Sequence, residues 1–171
     1  MITRTSTHQS RTLHLVDADN LTGGPTEATC VAHRTAGAYR AQARLRPGDQ
    51  TIVGSDWRSA PVTAFAWPGV RWVRTTGPDA VDHALIAEMD VDYVAPRFGR
   101  VVIGSGDGIF ADAMLALRAA GVTVEVVAPR HGVSYRLYPA ADGISLVDDT
   151  PACSHDGCRL ALHRSSLRLA A

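Results

Sequence analysis

Short apolar runs punctuated by turn residues recur along the chain: LHLV at 13–16, TIVG at 51–54, VRWV at 70–73, VVIG at 101–104, VTVEVVA at 122–128 and ISLV at 144–147. None sustains the apolar–polar alternation of a strand with one wet face, so they read as strands covered on both sides. Segments with helical spacing lie between them. Gly23-Gly24-Pro25 opens a helix expected over about 26–45, and Pro47-Gly48-Asp49 turns the chain behind it. Asp79 stands as N-cap or first-turn acid of a second helix, which exposes Ala80 and Asp82 and packs Leu85, Ile86 and Met89. A third helix is expected from about Ile109 to Ala120, with Ala113, Leu117 and Ala120 on one face and Gly121 as its terminator. Strand and helix in alternation predict an α/β fold, a three-layer sandwich around a mostly parallel sheet with right-handed crossovers.

Length and composition bound this picture. With 171 residues and 46% hydrophobic content, one core is expected, over residues 12–150. Residues 1–11 read as a flexible N-terminus and 151–171 as a tail or packing helix. The formal net charge is zero and the pI about 7.1, so there is no bulk attraction to polyanions and any such partner needs a local basic patch. No stretch has the length of a membrane span, and three cysteines, Cys30, Cys153 and Cys158, suit a reducing compartment; a cytoplasmic protein is expected. Cys30 reads as a small buried hydrophobe.

The candidate chemistry is acidic. Asp17, Asp19 and Asn20 follow the first strand, Asp107 follows the fourth, and Asp82 approaches from the start of a helix. In a parallel sheet, ligands bind beyond the carboxyl ends of the strands, commonly where strand order reverses. Asp17 and Asp107 share that edge if the two strands are neighbours. Carboxylates gathered there repel unless protonated or bridged by a cation, and Mg²⁺ or Mn²⁺ favours oxygen ligands. A pair of such ions about 3.5 to 4 Å apart could activate water and stabilise the leaving oxygen of a phosphodiester; a single ion could also serve. Each acid has a structural reading too: a strand-end Asp caps a helix or closes an Asx-turn, Asp82 suits a first helical turn, Asp19 can face solvent and Asn20 can bond its own loop.

The runs LHLVDADNL, GPDAVDHALIAEM and VVIGSGDGIFADAMLALRAAGVTVEVV resemble the three signature segments of the NYN family, ribonuclease-like domains related to PIN nucleases. The resemblance spans about Leu13 to Val147 and implies a PIN-like, Rossmann-like sandwich whose acidic pocket binds Mg²⁺ or Mn²⁺ and cuts RNA. By motif, it implies Asp17, Asp82 and Asp107 as catalytic metal carboxylates, Asn20 as the polar residue that orients the pocket or a water, and Ser105 as a bond to backbone or phosphate. Family members often carry a second Asp two residues beyond the position of Asp107; this chain has Ile109 there, and Asp112 is the acid that could reach the pocket instead. A basic residue is also absent just before GPDAVDHAL.

The implied partner is RNA, single-stranded or with exposed loops. Arg58, Arg71, Arg74, Arg97 and Arg100 are expected in or near segments facing the site, with Arg130 and His131 after the fifth strand; of these, Arg74, Arg97 and Arg130 are the candidate phosphate contacts. Trp57, Trp67 and Trp72 could stack on bases, although core packing is the favoured reading for each. Cys153, His155, Cys158 and His163 carry a zinc-like residue set without standard spacing, so thiols in a tail are the default. Self-association stays open, with a homodimer the form that apolar helix faces favour. Two alternatives to a metal-dependent endoribonuclease remain. One is a haloacid-dehalogenase-like phosphatase using Asp17 as nucleophile and Asp19 as acid, which ordinarily needs a lysine that this sequence lacks. The other is a noncatalytic RNA-binding or regulatory protein that kept the fold.

Overall fold

The first apolar run forms β1 (Thr12–Asp17), buried along its whole length. It lies at the centre of a six-stranded sheet with β2 (Gln50–Asp56), β3 (Arg71–Thr75), β4 (Arg100–Gly104), β5 (Thr123–Pro129) and β6 (Gly143–Val147). Strand order is β3-β2-β1-β4-β5-β6, and every pairing is parallel. The computed structural model describes residues 11–130 and 132–148. His131, the residues before 11 and the tail with Cys153, His155, Cys158 and His163 lie outside the described residues. Among the described residues, no helix is long and apolar enough to cross a membrane.

The side-chain period of two divides each strand between two helical layers. Leu13 and Leu15 of β1, Val101 and Ile103 of β4, and Val124 and Val126 of β5 form one core with Leu85, Met89, Met114 and Leu117. That layer holds α4 (Ala80–Ile86), α5 (Val91–Val94), α6 (Ala111–Ala119) and α7 (Leu137–Ala140). Val16, Val53, Val102 and Val127 point the other way, onto Ala32, Ala36, Tyr39, Val62 and Trp67. Those residues belong to α2 (Thr29–Gln42) and α3 (Ala60–Ala66) and the end of α3, beside the five-residue α1 (Ala18–Thr22). Apolar positions therefore fill both faces, as the uninterrupted runs predicted.

Several local expectations shift. The helix expected over 26–45 is shorter, Thr29 to Gln42, because Ala28 is still extended (φ −87°, ψ 104°). Asp79 precedes α4 but in a left-handed conformation (φ 52°), with no side-chain capping bond. Asp107 caps a 3-10 turn (Gly108–Phe110), and α6 begins only at Ala111. Gly121, φ 86°, follows α6 where a left-handed residue was predicted.

His14 is buried on the face of β1 that packs against α2. Its Nδ1 lies 3.0 Å from the Tyr39 hydroxyl and its Nε2 3.4 Å from Asp49 Oδ2, all three well shielded. Burial holds the imidazole below its usual 6.5, against the pull of Asp49. A depressed histidine stabilises the fold above 6.5, and that contribution is lost as pH falls through the folded value. Wild type should therefore lose up to about 1.4 kcal/mol per pH unit on acidification below that point, and His14→Gln should lack this component. Urea unfolding of both proteins at stepped pH measures it.

Candidate active site

β1 and β4 are adjacent although β2 and β3 lie between them in sequence, so strand order reverses across the sheet at this point. The helix after β1 packs on one face and the helix after β4 on the other, which leaves a crevice at their carboxyl ends. Asp17, the last residue of β1, sits there with only 6% of its surface exposed. Its Oδ1 accepts from the backbone N–H groups of Asp19 and Asn20, each at 3.0 Å, and so caps α1. Capping is a genuine part of its role and leaves the rest of the carboxyl for other work.

Gly54 is the β2 residue in register with Asp17. A Cβ there would stand 2.6 Å from Val81 Cγ1 and 3.2 Å from Leu85 Cδ1, so its absence lets α4 close onto the sheet edge. Asp82, between those two contacts in sequence, was expected on the exposed side of the helix but is buried as a result, within hydrogen-bonding reach of Asp17. Burial is the main force raising the Asp17 carboxyl to about 7; the bond from Asn20 opposes it, and the charges of Asp82 and Asp19 reinforce it. Asp82 is also raised, first by burial and then by the charge of Asp107, while the bond with Asp17 lowers it. Both carboxyls are pushed upward by burial and by neighbouring negative charge, so together they favour holding a proton. Asp107 is felt at Asp82 as a further negative charge.

Three buried side-chain oxygens among the described residues have no hydrogen-bond partner: Ser55 Oγ, Thr75 Oγ1 and Asp82 Oδ1. Ser55 and Thr75 lie at the carboxyl ends of β2 and β3, Thr75 on the face that α4 covers and Ser55 on the opposite one, so the unmet polarity gathers at this edge. As the side chains stand, no three His, Cys, Asp or Glu residues among those described form a group able to hold a metal ion.

Asn20 ties the crevice together: its Oδ1 accepts from Gly106 N–H at 2.9 Å, across the gap between α1 and the loop after β4. Ser105 is fully buried and accepts from Asp107 N–H at 3.2 Å, a local bond of the predicted kind. Asp107 is exposed and accepts from Ile109 N–H at 2.9 Å. Ile109 itself packs against the core, which gives a physical reason for an apolar residue at that position. Asp19 points away from the pair. Its two oxygens accept from Asp56 N–H and from the Ser59 hydroxyl, each at 2.5 Å, fastening α1 to the loop after β2. Asp112 is 84% exposed and paired with Arg136 at 3.2 Å.

The basic and aromatic candidates divide by position. Arg97 and Arg100 precede or begin β4 and Arg71 begins β3, so they occupy the amino edge, opposite the acids, contrary to expectation. There Arg97 lies over the Tyr93 ring, Arg100 pairs with Glu125 at 2.6 Å, and Arg71 pairs with Glu88. Arg130, at the carboxyl end of β5, is paired with Asp148 at 2.8 Å. Arg74, near the end of β3, lies 5.7 Å over the Trp72 ring and lines a cleft of about 320 Å³ with Trp57, Ala60, Pro61 and Ala64. Trp67 is buried as expected, but Trp57 is 62% exposed and does not pack into the core. A short helix beginning at Ala60 holds it on the surface. Sequence reading also passed over Ser134 and Arg136, which line a cleft of about 570 Å³ with Asn20, Asp107 and Ile109. Their signal was positional: the loop after β5 opens on the same edge as Asp17.

The family model described as the NYN domain matches residues 15–148. Among solved structures, the chain is similar to a crystal structure of a protein of unknown function from Vibrio parahaemolyticus. The TM-score is 0.60 at 17% identity, over 84% of this chain and 96% of that one, a likeness of fold. No curated protein matches the sequence significantly. The chain belongs to the NYN domain family, with the PIN-like α/β architecture associated with nucleases.

Proposed function

We propose that this NYN domain is a metal-dependent endoribonuclease that hydrolyses phosphodiester bonds of single-stranded or loop-exposed RNA. The observation that carries the reading is the burial of Asp17 and Asp82 side by side at the sheet's reversal point, with Asp82 Oδ1 unpartnered and the charge of Asp107 felt there. Burying carboxyls costs free energy, and such costs concentrate at functional sites. The unmet oxygen and the excess negative charge suit a hard divalent cation, Mg²⁺ or Mn²⁺, with Asp17, Asp82 and Asp107 as its holders. Such an ion, when bound, supplies charge neutralisation and activation of water for phosphoryl chemistry.

The protein's own part is positioning. Asp17 is fixed by the α1 amides through Oδ1, which leaves its other oxygen for a ligand. Asn20 holds the loop that carries Asp107 and so sets the distance between the β1 and β4 acids. Ser105 and Asp107 order the same loop through their amide bonds. Asp112 has the supporting role of holding Arg136.

A labelled single-stranded RNA incubated with Mn²⁺ or Mg²⁺ tests the reading through cutting that chelator abolishes. Trp57 and Arg74 supply a stacking and charge platform on one flank of the acids. Trp57→Ala should weaken RNA binding by roughly 5- to 100-fold, the range for loss of one stacked base, while leaving the melting temperature unchanged. Anisotropy and thermal melts measure the two effects separately.

The absence of a ready three-ligand group among the described residues favours, as a second reading, an RNA-binding protein without nuclease activity. Tight retention of intact RNA in the presence of Mn²⁺ is its signature. The phosphatase reading loses support from Asp19, whose oxygens are both engaged in structural bonds.

A further inference from the structure

The loop after β4 and the loop after β5 form one rigid wall. A side chain at Gly106 would overlap the Gly132 carbonyl oxygen, and one at Gly108 would overlap Ser134 Oγ. Ser134 N–H donates to Gly106 O at 2.8 Å, locking the two backbones together. The wall borders the 570 Å³ cleft, which runs from Asn20 and Asp107 to Arg136. Among the described residues no aromatic ring lines it, and Arg136 is the cation among those that do.

We propose that this cleft is a phosphate subsite for the RNA strand, with Arg136 as the residue that grips the phosphate neighbouring the one at the acids. The assignment rests on the endoribonuclease reading and adds to it the path of the strand: bases toward Trp57, backbone toward Arg136. Arg136 is half exposed at 46%, and its partner Asp112 is 84% exposed. Exposed pairs of this kind strengthen one another by about fivefold at most, whereas a guanidinium matches two phosphate oxygens at once. A phosphate therefore displaces Asp112 from Arg136 readily. Asp112 acts as a placeholder that keeps the guanidinium turned to the cleft between substrates.

The test is anisotropy of a labelled single-stranded RNA in EDTA, where nothing is cut, across a salt series, for wild type, Arg136→Ala, Arg136→Lys and Asp112→Asn. Arg136→Ala should weaken binding about tenfold at low salt and reduce the salt slope by about 0.7, the value for one phosphate of a single strand. Arg136→Lys should keep the slope with part of the affinity, and Asp112→Asn should tighten binding by up to about fivefold. In wild type, replacing single phosphates with neutral methylphosphonates should reveal one costly linkage beside the cut, and that cost should vanish in Arg136→Ala. If Arg136→Ala binds with wild-type affinity and slope while wild type still cuts RNA, the subsite is wrong and the nuclease reading stands. Wild type that neither binds nor cuts overturns both. If Arg136→Ala fails to fold, a flat methylphosphonate scan in wild type still overturns the subsite.

Discussion

Asp17→Asn should make the metal-free protein more stable at pH 8 while abolishing metal-dependent cleavage. Burial lifts the Asp17 carboxyl from 3.8 to about 7, so the folded chain holds a proton there that the unfolded chain releases. A carboxyl raised in this way stabilises the fold below 3.8, and the contribution declines as pH rises until it is lost above about 7. At pH 8 the wild-type protein bears an ionised Asp17 beside Asp82, a penalty on the order of 4 kcal/mol. Asparagine removes the charge. Its carbonyl can still accept from the Asp19 and Asn20 amides, so the α1 cap survives, and its amide can donate to Asp82. The melting temperature should rise by roughly 8–16 °C at pH 8, with the difference shrinking toward zero near pH 4. Thermal melts across that range in EDTA measure it. A variant that is less stable at pH 8 would show that Asp17 is held ionised by its amide bonds, as a cap and nothing more.

The second large effect is expected at Gly106. Its N–H is held by Asn20 Oδ1 and its carbonyl by Ser134 N–H, while its α-carbon lies against the Gly132 backbone. An alanine methyl meets backbone there, which cannot rotate aside, so the two loops must part. Gly106→Ala should cost about 3 kcal/mol and lower the melting temperature by roughly 6–12 °C. Both bonds that register the β4 loop against α1 and the β5 loop are strained together, and cleavage should fall even at temperatures where the variant is folded. Calorimetry and single-turnover cleavage at low temperature check the two parts. A neutral outcome would mean that the loops are loosely joined and that Asp107 is not held in place from this side.

The contrast between these residues shows what a linear reading can recover. The strands were legible because they are buried on both faces, and runs such as VVIG and VTVEVVA leave little room for another state. That Asp17 and Asp107 share an edge followed once β1 and β4 paired, a neighbour relation the crossover rules favour without dictating. Helices of four to seven residues, α1, α3, α5 and α7, fell below the span over which periodicity can be recognised. Their omission had consequences. α3 is what holds Trp57 at the surface, and α1 is what turns Asp19 from the acids toward Ser59. Arg97 was assigned to the site by nearness in sequence to β4, but residues before a parallel strand lie at its other end. Arg136 was missed for the complementary reason: it lies seven residues past β5, and the turn that brings it back beside Asp107 depends on glycine packing that no local pattern encodes.

The pH dependence has two opposing parts with separate origins. Asp17 favours the folded state as pH falls below about 7, whereas buried His14 opposes it below 6.5. Comparing Asp17→Asn with His14→Gln separates them, because the two groups sit at different points of β1 with different partners.

The most direct measurement of the central claim is Mn²⁺-dependent cleavage of a labelled single-stranded RNA by wild type beside Asp82→Asn and Asp107→Asn, purified identically. If the acids of β1, α4 and the β4 loop act as one site, wild type cuts, EDTA stops it, and each variant loses activity by about 100-fold or more. Equal cutting by all three proteins would contradict the account and assign the activity to a contaminant.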